Sequence, residues 1–501
     1  MTAAAAARRR LRDEPVTRAA LLREAYEVAQ VGLPSLLSAL FSMLQWTYTS
    51  HVLGTTFGAV GLTAQSLSMM AGNLIALSSL LGFRRACDSL EPQAFAAGRH
   101  AEVGRIAVRG FLVGLLLLSP LLPLFAHIDT ILISLGQPEE PARLARRFLR
   151  LYAFSYPGLC FVESCVRFYR AQNVVAPLVL VNLLALVLHP LWLHAFVGLF
   201  GFDGAPLAHV AGVYLSVLAL VLMLRHGSWH APDTLPEPSW AFLRAVLRPR
   251  DLWLLFRLGC PGVFSMAEWW FWEFVAGVAG QFGTASLAAY AIAYSLVPLC
   301  FMVPMGLATG ITVRVGQLMA EGKVLLAQAV VRHAMAFAMA LVSAVGLAVL
   351  LLRTSIVAVF TRDAQVEALS AQVWPLVCAF IVLDGLLGMQ TGIIRALSLQ
   401  AKMSVAVMCS LWLFGVPLMW LLADKMNLQL LGVWISMPII YILLDSLMFG
   451  TVYFLDWYKV VDQIDAQFGP EPVGLAAAGP EADLPTIKTS SGRLAKVKLS
   501  Y

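Results

Sequence analysis

The stretch Glu268-Trp269-Trp270-Phe271-Trp272-Glu273 sets two carboxylates and three tryptophans within six residues, inside an apolar run that contains Pro261. The run begins at Leu258, so Glu268 lies ten residues into it. At about 1.5 Å per helical residue that is roughly 15 Å, half of a ~30 Å hydrocarbon core. A carboxylate at that depth costs at least ~2.5–3.5 kcal/mol on insertion scales, which makes it a functional candidate by default. Five helical residues turn through about 140°, so the two glutamates do not share a face. One is expected to look into a cavity, the other toward a neighbouring helix or the far wall of that cavity.

Outward from this segment the whole chain has the same character. Of 501 residues, 59% are hydrophobic and 13% charged, the balance of an all-α polytopic membrane protein. Apolar windows predict twelve transmembrane helices, at about 26–54, 58–82, 105–126, 148–170, 174–198, 204–225, 252–280, 285–312, 326–353, 368–394, 401–423 and 430–455. Several exceed 25 residues, so tilt or extension beyond the lipid is expected.

The two halves repeat. Gly32-Leu33-Pro34 matches Gly259-Cys260-Pro261 at an offset of 227. Gly82, Gln93, Ala96 and Gly98-Arg99 match Gly306, Gln317, Ala320 and Gly322-Lys323 at 224. Arg170-Ala171 matches Arg395-Ala396 at 225, and Pro190-Leu191 and Tyr214 match Pro417-Leu418 and Tyr441 at 227. Doubled six-helix halves are a transporter signature, with sites near mid-membrane at the repeat interface or within a lobe. Six is even, so the repeat is parallel, about an axis along the membrane normal. The segmentation is 1–25, an N-terminal segment; 26–225, the first lobe; 226–250, a proline-bearing interlobe loop; 251–458, the second lobe; and 459–501, a polar tail read as disordered.

Basic residues orient the chain. With the N-terminus inside, the outer loops carry Arg143, Arg146, Arg147, Arg150, Arg353, Arg362 and Lys425, only seven of 35 Lys and Arg, so both termini are expected in the cytosol. Met1–Arg12 is no secretory signal, because no apolar region with a cleavage site follows its arginines. The seven cysteines have no CxxC spacing and read as packing residues. His189 and His194, five apart around Pro190, lack zinc-site geometry, and neither metal nor cofactor is expected. The arginines flank apolar spans, so nucleic acid is not a partner; membrane lipid is, and the chain is expected to be a monomer.

Several ordered segments resemble the eukaryotic branch of the multidrug and toxic compound extrusion family. They are Ala86-Cys87-Asp88-Ser89-Leu90 with Gln93-Ala94, Leu135-Gly136-Gln137-Pro138, Ala171-Gln172 with Pro177, Arg314-Val315-Gly316 and, most specifically, Pro261 with Glu268-Trp269-Trp270 and Glu273. The resemblance covers about 25–458. It implies two pseudo-symmetric six-helix lobes in a V, working by alternating access to export organic cations and other amphipathic compounds in exchange for H⁺ or Na⁺, with H⁺ the general choice of eukaryotic members. It gives Glu268 and Glu273 the places of the seventh-span acids and Asp384 that of the tenth-span acid. Asn73, Trp269, Trp272 and Tyr294 fit cavity positions. There are departures: Ser295 stands where some animal members carry an acid, Ala39 takes a polar first-span position, and Arg395-Ala396-Leu397-Ser398-Leu399-Gln400 lacks the two glycines of the family's Arg-Gly-x-Gly-x-Gln.

Bland readings compete. Glu163 and Arg167, four apart, read as a structural ion pair, and Asp445 is left unassigned. Asp384 lies ten residues from the end of its span at Ile394, at a depth like that of Glu268. Burial favours a neutral carboxyl and a second acid couples the titrations, which is the minimum for proton–cation competition. Tryptophan faces add about 0.5–2 kcal/mol of cation–π attraction each, and Trp272, four residues from Glu268, is the better cavity candidate. A lipid-linked oligosaccharide flippase would want basic cavity residues, yet Arg84, Arg85 and Arg314 lie at span ends. No nucleophile–base pair supports an enzyme. A sodium-coupled exporter would need several hard oxygen ligands at one point. The membrane is read as the plasma membrane or a vacuolar or vesicular one.

Overall fold

The computed structural model describes residues 16–134, 137–226, 229–235, 239–360, 364–468, 486–488 and 494–496. Leu135-Gly136, Pro236, Pro238, Arg362 and the first fifteen residues of the 1–25 segment lie outside them. Twelve helical spans run in order: Arg18–Gly58, Val60–Ala96, His100–Ser134, 139–171, Ala176–Phe200, Gly204–Arg225, 249–280, Thr284–Ala320, Val324–Leu351, Ala364–Ala396, Gln400–Lys425 and Gln429–Tyr453. Nine continuous segments of the described residues are long and apolar enough to cross a membrane. Spans five and six run together in one of these, and spans four and seven are each built of shorter pieces.

The break in span seven has a local cause. Pro261 has no N–H to donate to the helix. Ser265 Oγ donates to the Gly262 carbonyl at 2.5 Å, drawing off an acceptor of the next turn. The helix Pro249–Phe264 therefore ends, and a second, Ala267–Gly280, starts with Glu268 in its first turn.

The repeat is visible in the turns. Left-handed backbone occurs at Gly58 and Gly283, at Gly98 and Gly322, at Asn173 and Ser398, and at Gly201 and Asn427. Each pair falls at the 224–227 offset found in the sequence. It is visible again where the lobes meet. A Cβ on Gly32 of span one would lie 2.9 Å from the Gly306 carbonyl oxygen of span eight, and one on Gly262 of span seven 2.0 Å from that of Gly82 of span two. Only glycine permits these two backbone crossings.

Polar clasps flank the crossings. Gln93 Nε2 donates to the Ala396 carbonyl at 3.0 Å, and Gln317 Nε2 donates to the Ala171 carbonyl at 2.9 Å. Gln93 and Gln317 are repeat partners, as are Ala171 and Ala396, so one bond is the two-fold image of the other. Gln400 Nε2 reaches the Arg85 carbonyl at 3.1 Å, and Ser89 Oγ the Arg395 carbonyl at 2.5 Å. Arg314 of span eight pairs with Glu24 of span one. All lie near the end of the molecule where span one begins, and there the lobes are sealed together.

The last segment differs from the sequence reading. The tail expected to be disordered from 459 continues as helix Trp457–Phe468, whose Trp457, Val460, Val461, Ile464 and Phe468 are buried in a core shared by both lobes. Their spacing is a one-sided helical stripe. Beyond it the described residues are two short antiparallel strands, Thr486–Lys488 and Leu494–Lys496; the rest of the tail lies outside the described residues.

Candidate functional site

The break in span seven turns Glu268 into the second lobe. Tyr441 of span twelve donates its hydroxyl to Glu268 Oε1 at 3.1 Å. Asp384 of span ten and Asp445 of span twelve, 5% and 8% exposed, lie within electrostatic reach of Glu268. Among the described residues neither carboxyl oxygen of Asp445 has a hydrogen-bond partner. Three acids from three helices thus share one buried region around a single tyrosine. A cation of the other lobe acts on this group. Arg85 of span two donates to Ser265 Oγ, at the break of span seven, at 2.5 Å and feels the charge of Glu268.

Aromatic rings close this pocket. Phe380 stands edge-on to Tyr441 at 4.6 Å and to Trp272 at 5.0 Å between ring centres. Tyr294 lies 5.6 Å from Trp272 and stacks on Tyr290. Trp272 is 8% exposed, so it packs within the lobe as part of the pocket's wall; Trp269 and Tyr294 are the exposed members of the aromatic group.

Glu273 points elsewhere, as the rotation of the helix requires. It lines a cleft of about 400 Å³ together with Trp46, Ser50, Gln65, Met69 and Asn73 of the first lobe. Asn73 opens a short π-helical stretch, Asn73–Leu77, a local widening of span two. The seven residues singled out by sequence therefore divide. Glu268, Asp384, Trp272 and Tyr294 gather inside the second lobe, and Asn73 and Glu273 meet across the cleft. Trp269 lines neither. Ser295 bonds its own helix at the Ala291 carbonyl.

Sequence reasoning missed Asp445 and Tyr441 as members of the site. The signal was present: the two are four residues apart on one face of span twelve, fifteen residues into its apolar run in the case of Asp445. Glu163 and Arg167 do pair, at 2.5 Å, and Arg167 also holds Asp88 at 3.0 Å, which faces Arg395 of the other lobe at 3.5 Å. That pair is one corner of the seal between the lobes.

A profile of the MatE family matches residues 34–193 and again 261–421. The chain belongs to the MatE family. The two matches begin at Pro34 and Pro261, one repeat apart. Among curated proteins, an uncharacterized transporter of Schizosaccharomyces pombe is 28% identical over 88% of this chain and 82% of its own length. Multidrug and toxin extrusion protein 1 of Oryctolagus cuniculus is 27% identical over 86% of this chain and 75% of its own. The crystal structure of the eukaryotic MATE transporter AtDTX14 superposes with a TM-score of 0.82 over 90% of this chain and 100% of that one, at 22% identity. This MatE protein is thus a multi-pass membrane transporter with twelve helices in two lobes.

Proposed function

We propose that this transporter exports organic cations and related amphipathic compounds in exchange for protons, by alternating access. The observation that carries the reading is the grouping of Glu268, Asp384 and Asp445 around Tyr441 inside the second lobe. Carboxyls gathered out of water oppose one another's ionisation, so such a group holds a proton until a cation or a path to water removes it. The bound proton and the exported cation then compete, which is the requirement for exchange. The cleft supplies the cargo's route. Its wall carries one charged side chain among the described lining residues, the acid Glu273, beside Trp46 and two methionines. That chemistry suits a cation with apolar substituents and opposes a pyrophosphate cargo.

Among the described residues no three acidic, histidine or cysteine side chains converge as a metal ligand set. Arg85 also links the acids to the seal: it reaches from the first lobe to Ser265 and senses Glu268. Gain or loss of the Glu268 charge changes what holds Arg85, and with it the closure of the lobes. Glu268, Glu273 and Asp384 are therefore assigned to proton and cation coupling, and Asn73, Trp272 and Tyr294 to the cavity and its wall; Trp269 lines neither region. The domain limits 26–225 and 251–458 are taken as the two moving lobes, and the sealed end as cytosolic.

The test is uptake of labelled tetraethylammonium into proteoliposomes with an acid lumen. Uptake should follow the pH gradient, collapse with a protonophore, and be unchanged when Na⁺ is replaced by an inert cation. Uptake that follows a Na⁺ gradient at fixed pH overturns proton coupling.

A further inference from the structure

A groove of about 940 Å³ at the sealed end lies away from the acids, bounded by the start of span three, Asp233 and Arg248 of the interlobe region, the start of span seven and the helix Trp457–Phe468. Arginines dominate it. Arg109 is consumed structurally: it bonds the Val246 and Ala245 carbonyls at 2.8 and 2.9 Å, Glu102 at 2.5 Å and Asp251 at 2.9 Å, tying the short helix Trp240–Val246 to span three. Arg105 pairs with Glu102 at 3.1 Å.

Four more line the groove: Arg99, Arg248, Arg250 and Arg257. Among the described residues none of them makes an ion pair. Arg250 and Arg257 are seven residues apart on one face of span seven, with the 64%-exposed Trp253 between them. Arg99 and Arg248 hold the N-cap positions of two helices, His100–Leu118 and Pro249–Phe264, with side chains that make no cap hydrogen bond and stand near the positive ends of the helix dipoles. Among the described residues the groove's acids, Glu102, Asp233, Asp251 and Asp465, leave a surplus of positive charge against its six arginines. Like charges held around one hollow repel unless something anionic fills it, and planar guanidinium forks match phosphate oxygens two at a time.

We propose that this groove binds a multiply phosphorylated anion, the chemistry of a phosphoinositide headgroup, with Arg99, Arg248, Arg250 and Arg257 as its ligands. Trp253, stacked on the exposed Phe256 at 5.9 Å, forms the apolar rim along which acyl chains would leave for the bilayer. The site touches the beginning of the second lobe, the end of the chain and the first lobe together. A ligand here fastens the sealed state and so sets how readily that end opens.

The experiment uses the full chain in nanodiscs and two probes: phosphatidylinositol 4,5-bisphosphate in a phosphatidylcholine bilayer, and soluble inositol 1,4,5-trisphosphate. Binding is expected for the wild type, falling with added salt. Arg250→Gln with Arg257→Gln should weaken it roughly tenfold or more, the scale of two charge-assisted contacts. Arg250→Lys with Arg257→Lys keeps the charge and should weaken it less. Arg244→Gln, an exposed arginine outside the groove, should leave it unchanged. Response to both probes places recognition in the phosphates; response to the lipid alone adds the apolar rim; either supports the site. Binding of neither probe, a Gln pair that binds as wild type does, or an equal loss in Arg244→Gln overturns it.

Discussion

The seal between the lobes and the pocket inside the second lobe are products of the same duplication and have had opposite fates. At the seal the halves remain images of each other: Gln93 to Ala396 mirrors Gln317 to Ala171, and the glycine crossings come as a pair. In the pocket they have parted. At the repeat offsets, Glu268, Asp384 and Asp445 answer to Phe41, Leu159 and Leu218 in the first lobe, all three apolar. Tyr441 still answers to Tyr214, but with no acid beside it the Tyr214 hydroxyl donates to the Phe154 carbonyl at 3.1 Å. A rocking joint needs two matching surfaces, so both copies are retained. The exchange proposed above needs one group of titrating acids, so a single copy suffices.

That contrast is open to breakage. The largest effect is expected at Glu268. Glu268→Gln keeps shape and removes the ionisable proton, so proton-driven tetraethylammonium flux should fall roughly a hundredfold or more, the scale of a positioned proton-transferring group. Phe41→Leu, its counterpart, should transport nearly as wild type. Near-normal exchange by Glu268→Gln would remove the pocket's asymmetric role.

Next come Asp384 and Asp445. If they share protons with Glu268, Asp384→Asn and Asp445→Asn should each cost about tenfold, and the double change little more than the worse single one, because coupled titrations are not additive. Losses that multiply cleanly would mean two independent jobs.

Symmetry of the seal predicts a smaller, matched pair of effects. Gln93→Ala and Gln317→Ala each delete one of the two matched inter-lobe bonds, to Ala396 and Ala171, along with weaker contacts to Ser398 and Asn173; at about 1 kcal/mol per matched bond, a two-state equilibrium shifts about fivefold. Spin-label distances across the sealed end should show the open population rising by similar factors in both. A large effect in one and none in the other would say the joint has become asymmetric too.

The architecture was legible because membrane burial writes it into composition. Apolar windows gave the twelve spans, and glycines, prolines and glutamines at a fixed offset gave the repeat. The depth of a charge in its span pointed to Glu268 and Asp384. Depth alone does not say which way a side chain faces, so it leaves Asp445 unassigned and does not show that Trp272 stands edge-on to Phe380. The helix Trp457–Phe468 is hard to read in the sequence because its apolar stripe is diluted by Lys459, Asp462, Gln463 and Asp465. Clasps such as Ser89 to the Arg395 carbonyl join residues some three hundred positions apart, and no local pattern marks them.

The smallest expected effect concerns a residue where the sequence departs from its family. Ser398 adopts φ 57°, the left-handed turn that its counterpart Asn173 adopts at φ 61°. Ser398→Gly removes the Cβ penalty but adds freedom to the unfolded chain, for a net gain of about 0.5 kcal/mol. Thermal denaturation of the purified protein should register a small rise; a clear fall would mean the Ser398 hydroxyl, 3.4 Å from Gln93 Nε2, matters more to the joint than the turn's strain.

The most direct test of the central claim counts protons. Tetraethylammonium added to the purified transporter in weakly buffered detergent solution should release protons as it binds, and the release should vanish in the triple change Glu268→Gln, Asp384→Asn, Asp445→Asn. It should persist when His189 and His209, the buried imidazoles of the first lobe that flank Thr49 Oγ1 at 2.8 and 3.2 Å, are both replaced by Gln. Cation binding without proton release, or a release abolished by the histidine changes and untouched by the triple change, would contradict the assignment of exchange to the second lobe.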